Sequence, residues 1–177
     1  MPPKKPVLNF KSKLTEPSEQ FLDGLLSRAY DFAQHLDNQT SILVGVSSAI
    51  FVFSLSLVVE QQGSFPFLIL GIFAGCAALV GLFAVHPPKF MRKRGQEESL
   101  MYNKSIAGFA SSSEYGEALE KIVDDKRAVI HEYAKEIYNV SKFYYRPKRK
   151  LFHLSRNILL IGIIVSLFVF LLSVLLM

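Results

Sequence analysis

The sequence predicts an all-α membrane protein with three transmembrane helices and a cytoplasmic helical stalk or small bundle between the second and third spans. Three observations carry that expectation. Ser41–Val59, Phe65–Val85 and Ile158–Met177 are uncharged blocks of 19, 21 and 20 residues, and a bilayer core of about 30 Å needs about 20 helical residues to cross. Half of the residues are apolar and a fifth charged, and a soluble chain of this size has too little other apolar surface to bury three such blocks. All 20 Lys and Arg fall in two places, five before the first block and fifteen between the second and third.

Residues 1–17 read as a basic flexible tail, because four Pro and four Lys leave little to pack. Over residues 18–40, Phe21, Leu25, Ala29, Phe32 and Leu36 recur at helical spacing, which predicts an amphipathic helix capped at Ser18 and running into the first span. Residues 41–85 form a transmembrane hairpin, 41–59 and 65–85, with Gly63 and Pro66 shaping its turn. No apolar region with a cleavage site precedes it, so the first span is expected to serve as the insertion signal. Cys76, the single cysteine, lies mid-span with no disulfide partner.

Residues 86–156 form the cytoplasmic helical region. His86, Pro87 and Pro88 stop the second span, and Lys89, Arg92, Lys93 and Arg94 form a juxtamembrane basic cluster. Ser111 with Glu114 three residues on reads as a capping box. Tyr115, Leu119, Ile122, Val129, Ile130, Tyr133, Ile137, Val140 and Tyr144 then mark one long amphipathic helix over about 113–145, ending at a break before Pro147. Residues 157–177 form the third span. The positive-inside rule places the N-terminus and residues 86–156 in the cytoplasm and the C-terminus outside.

Small residues at a spacing of four let helices approach closely in lipid. Gly45 and Ala49, Gly71 and Gly75, Ala77 and Gly81, and Gly162 and Ser166 are the candidate packing residues, holding the spans together or joining protomers of a homo-oligomer. Asn103 and Lys104, together with Arg127 and Arg146, are the candidate ligand contacts, since the three cations lie among aromatic residues or at a helix end and suit a phosphate. The sequence holds no phosphate-cradling glycine loop, no nucleophile elbow and no histidine pair at metal-ligand spacing, so no enzyme, metal or cofactor is expected. Acidic residues Glu114, Glu117, Glu120, Asp124 and Asp125 interrupt the positive face and argue against nucleic acid.

Leu36-Asp37-Asn38-Gln39-Thr40-Ser41-Ile42-Leu43 ahead of an apolar hairpin resembles the start of the Pycsar transmembrane effector family, although Gln39 stands where that family has a lysine. Asn103-Lys104-Ser105-Ile106-Ala107-Gly108-Phe109, Ser113-Glu114-Tyr115 and Glu136-Ile137-Tyr138-Asn139-Val140-Ser141 continue the likeness over about residues 30–170. The resemblance implies an antiphage effector of a prokaryotic inner membrane. A neighbouring cyclase supplies a cyclic pyrimidine nucleotide, and the effector responds by impairing the membrane. Pro147, between the long helix and the third span, is the expected coupling point. Two other classes remain open: a constitutive scaffold whose Tyr and Ile stripe binds a protein partner, and a transporter or channel subunit, against which stands the lack of ionisable residues in the spans.

Overall fold

In the computed structural model, residues 16–60, 65–85 and 98–176 are described. The basic tail before Glu16, the turn at 61–64 with Gly63, and the segment from His86 through Arg94 lie outside the described residues. Everything described is helix or short connection: α1 (Glu16–Glu60), α2 (Phe65–Val85), α3 (Asn103–Ile106), α4 (Ser112–Val123), α5 (Lys126–Asn139), a π-helical turn (Val140–Tyr145) and α6 (Arg146–Leu175). Among the described residues, three helical stretches are long and apolar enough to cross a membrane: Glu16–Glu60, Phe65–Val85 and the run from Lys126 to Leu175.

Three sequence expectations are corrected. Ser18 lies inside α1, which already extends back to Glu16. The stripe expected as one helix over 113–145 is two helices, because the Asp125 side chain accepts the Arg127 N–H and caps a new start; an Asp carboxylate offers the backbone this alternative to helix continuation. The break expected before Pro147 does not occur, and Pro147 sits in the first turn of α6. The π-helical turn just before it accommodates the missing proline N–H by shifting the hydrogen-bond register rather than ending the helix.

The chain divides into two units, Met1–Tyr30 with Gly95–Ser141, and Asp31–Arg94 with Lys142–Met177. In the second unit the three spans form an up-down-up bundle. Ser54 faces Gly71 and Val44 faces Gly81, so α1 and α2 run antiparallel. The Ser155 hydroxyl donates to the Ala77 carbonyl at 2.7 Å and the Ser166 hydroxyl to the Pro66 carbonyl at 2.8 Å, so α2 and α6 are antiparallel too.

The bundle's packing follows from residue size. On α2 the buried positions are Pro66, Gly71, Ala74, Ala77, Ala78, Gly81 and Ala84, an inner face made almost wholly of small residues. On α1 the inner stripe is Thr40, Ser47 and Ser54, one residue per heptad, and on α6 it includes Ser155, Leu159, Gly162 and Ser166. Leu43, Ile50, Phe51 and Ile158 pack against the Ala74, Ala77 and Leu159 centre. The bulky apolar side chains point the other way: Ile42, Val59, Ile72, Ile164 and Leu175 are more than half exposed. A soluble core would reverse that arrangement; lipid favours it, since backbone proximity and not apolar burial drives association there.

Candidate functional site

The first unit buries polar groups where a small helical unit ordinarily buries apolar ones. Its buried positions among the described residues are Ser99, Glu132, Glu136 and Val140. Three of them come from α5 and the turn after it, at spacings of four that place one above another on a single face.

Capping and turns deliver the partners. Ser111 caps α4 by accepting the Glu114 N–H at 3.2 Å, and the Glu114 carboxylate reaches back to the Ala110 N–H at 2.9 Å. Tyr115, one position on, donates its hydroxyl to the Leu100 carbonyl at 3.2 Å and stacks at a tilt on Phe109, 5.3 Å between centroids. The Leu100 N–H donates to Glu132 Oε2 at 2.9 Å, and Lys135 Nζ lies 2.7 Å from Glu132 Oε1. The segment that leads into α3 is therefore held from α4 and from α5 at once.

Two phenols of opposite origin bridge α1 and α5. The Tyr30 hydroxyl donates to Glu136 Oε1 and the Tyr133 hydroxyl to Asp23 Oδ1, each at 2.5 Å. Burial, the Glu136 hydrogen bond and the negative charge beside it push the Tyr30 phenol far above its usual range. The Asp23 bond, then burial and the charges of Asp23 and Glu19, push the Tyr133 phenol up to about 12. Burial alone would raise Glu132, yet Lys135, the Leu100 N–H and Ser99 outweigh it and hold that carboxyl below its ordinary range. Glu136 is 1% exposed, and its second oxygen, Oε2, has no hydrogen-bond partner among the described residues. A buried acceptor in that state carries a desolvation penalty of about 1–3 kcal/mol, more if charged.

The second unit carries its own polar cluster where α1 and α6 enter the spans. Lys148 is 3% exposed, with Nζ 2.7 Å from Asp37 Oδ1 and 2.8 Å from the Tyr144 hydroxyl, which in turn donates to Asp37 Oδ2 at 2.9 Å. Lys148 Nζ also lies 4.0 Å from the centre of the Tyr144 ring. Tyr144 belongs to the π-helical turn, one helical turn before Lys148.

The predicted ligand contacts are spread out. Asn103 and Lys104 open α3 side by side and are exposed, with Lys104 paired to Glu98 at 3.0 Å. Arg127 is exposed in the first turn of α5, and Arg146, the exposed first residue of α6, belongs to the other unit. Of the packing candidates, Gly71, Gly81, Gly162 and Ser166 are buried within the bundle and Gly75 rests on the Phe51 ring. Gly45 and Ala49 face outward, and a Cβ at Gly45 would meet nothing within 4 Å. The inner face of the first span belongs instead to Thr40, Ser47 and Ser54.

Sequence reasoning missed Glu132, Glu136 and the Asp37–Lys148 pair. A signal for the glutamates was present: they interleave with Val129, Tyr133, Ile137 and Val140 and so share the apolar side of their helix. Lys148 reads in sequence as one more basic residue at a membrane entry, and its partner is 111 residues away.

No curated protein and no solved structure matches the chain. The family model of the Pycsar effector protein domain (PycTM) matches residues 21–176, across both units and all three apolar helices, and the chain belongs to this family of antiphage effectors.

Proposed function

We propose that this effector acts in a prokaryotic inner membrane, where a cyclic pyrimidine mononucleotide from a neighbouring cyclase activates it to impair membrane integrity and abort infection. The observation that carries the reading is the extent of the family match, which takes in the polar unit and the spans together. The distribution of Lys and Arg supports a cytoplasmic N-terminus and residues 86–156, with the C-terminus outside. On that topology the first unit meets the nucleotide. Asn103, Lys104 and Arg127 are its proposed contacts within that unit, and Glu136, whose buried Oε2 has no hydrogen-bond partner among the described residues, is proposed to accept an N–H from the pyrimidine edge once the unit opens.

Such an effector needs no catalytic step and no cofactor. The nucleotide acts by binding the active arrangement more tightly than the resting one, and moving that equilibrium from 1:99 to 99:1 takes about 5.5 kcal/mol of differential affinity. Assembly into a homo-oligomer within the bilayer is the proposed active arrangement, with Pro147 and the turn before it as the coupling point.

Dye release from liposomes holding the purified protein, with cyclic UMP, cyclic CMP and cyclic AMP added in turn, tests the proposal. Release with one pyrimidine nucleotide and not with cyclic AMP is the expected result. Silence with all three from folded protein would overturn it and leave a constitutive scaffold that binds a protein partner.

A further inference from the structure

Hydroxyls within a lipid-embedded helix ordinarily bond back to the carbonyl four residues before them. Thr40, Ser41 and Ser56 do so, to Leu36, Asp37 and Val52. Ser47 and Ser54 do not. Both are fully buried in the bundle and neither Oγ has a hydrogen-bond partner among the described residues. They lie seven residues apart on the inner stripe of α1, with Thr40 a further heptad back, so the three hydroxyls extend over about 21 Å of helix, most of the depth of a hydrocarbon core. Ser54 closes directly onto Gly71 of α2, its Cβ 3.4 Å from where a Gly71 Cβ would be.

An unpartnered buried hydroxyl makes the closed bundle less stable than alanine in the same space would. That cost is recovered in any arrangement that wets the stripe. We propose that Ser47 and Ser54 line the water path through which the effector breaches the membrane: α1 and α2 part along the Ser54–Gly71 seam, and water and small hydrated ions follow the hydroxyls across. The stripe carries no charged side chain, so the path passes cations and anions alike, up to a size limit. The inference rests on the membrane-impairing function proposed above.

Two arms test it in liposomes. In the first, Ser54→Asp is assayed without nucleotide, beside Val52→Asp on the lipid-facing side of the same helix. Leakage from the Ser54 variant alone is expected, since a carboxylate in the seam must be hydrated; a tight Ser54→Asp vesicle holding inserted protein overturns the proposal. In the second, Ser47→Cys and Ser54→Cys in a Cys76→Ser background are treated with a membrane-impermeant methanethiosulfonate, beside a lipid-facing Val46→Cys. A tenfold or greater rise in modification at positions 47 and 54 during leakage, and none at 46, is expected. Leakage that leaves both seam thiols unmodified overturns the path. If no nucleotide triggers leakage from the unmodified protein, the activation reading fails and the aspartate arm alone decides for or against the seam; if the aspartate variant fails to insert, the near-isosteric cysteines decide.

Discussion

The Lys148 ammonium is buried against the Asp37 carboxylate at 2.7 Å, joining the entry of the third span to that of the first. Its partner is less enclosed, with the Asp37 side chain 31% exposed against 4% for Lys148. The asymmetry sets the order of two substitutions. Asp37→Asn leaves the buried cation with only neutral acceptors, the amide oxygen and the Tyr144 hydroxyl, and should cost about 3 kcal/mol, whereas Lys148→Met leaves a carboxylate that water can reach and should cost about half as much. The double variant should recover part of the loss, because no unpaired charge remains. Reversible unfolding in mixed micelles measures all three, and equal single effects that simply add would show the pair to be uncoupled.

A graded response is expected from the glycines. A Cβ at Gly162 would lie 2.3 Å from the Phe73 Cβ, so Gly162→Ala must push α2 and α6 apart and should cost about 1–3 kcal/mol. At Gly81 the obstacle is one methyl of Val44 at 2.5 Å, which yields more easily, and at Gly45 there is none. Gly45→Ala should therefore be neutral or stabilising by up to about 1 kcal/mol through helix propensity. Thermal unfolding in micelles gives the ranking. Gly45→Leu adds the oligomer readout: it should leave the single chain at least as stable as the parent, as Gly45→Ala does, and lower crosslinking in membranes if that outward face joins protomers.

The reach of the sequence is visible in which of these residues it identified. Block length alone discloses the three spans, because a bilayer sets an absolute scale for apolar runs, and the Ser111–Glu114 cap is legible because it is local. The inner face of the first span is not. Gly45 and Ala49 satisfy the small-residue spacing as well as Thr40, Ser47 and Ser54 satisfy a heptad, and only packing against Gly71 and Gly81 decides between them. The start of α5 at Asp125 is hidden for the same kind of reason, since the apolar stripe continues on both sides of it. Glu136 and Lys148 look like surface charges because their partners, Tyr30 and Asp37, are more than a hundred residues distant in the chain.

Glu136 should show opposite effects on stability and response. Glu136→Met removes the buried unpaired oxygen and releases Tyr30, whose side chain is close enough to solvent to find water, so unfolding should change little or rise by about 1 kcal/mol. The same variant should lose most of its nucleotide-triggered dye release if Oε2 accepts from the ligand. A variant that is both destabilised and fully responsive would assign Glu136 a purely structural role.

Acid should loosen the segment before α3. The folded-state value of Glu132 is depressed, so its contribution is fully present above the unfolded glutamate value of about 4.3 and is lost as pH falls through the lower folded value. The Leu100 amide, which donates to Glu132 at 2.9 Å, reports this directly. Its hydrogen-exchange protection, corrected for intrinsic rates, should be constant from pH 7 to about 5 and fall below about 4. Glu132→Gln should abolish that fall, because glutamine does not titrate.

Pro147 keeps its proposed coupling role on a different physical footing from a break. It cannot donate to the carbonyl four residues before it, and the π-helical turn Val140–Tyr145 takes up the mismatch while carrying Tyr144 toward Asp37. Pro147→Ala restores the donor, so the turn should relax to ordinary α-helix and rotate Tyr144 relative to Lys148. The expected result is a protein as stable as the parent or slightly more so, with a weakened Tyr144–Asp37 contact and a dye-release response to nucleotide reduced several-fold. Tyr144→Phe, which removes only the hydroxyl, should reproduce the functional loss if that contact transmits the signal. An unaltered response in Pro147→Ala would place the coupling elsewhere in the chain.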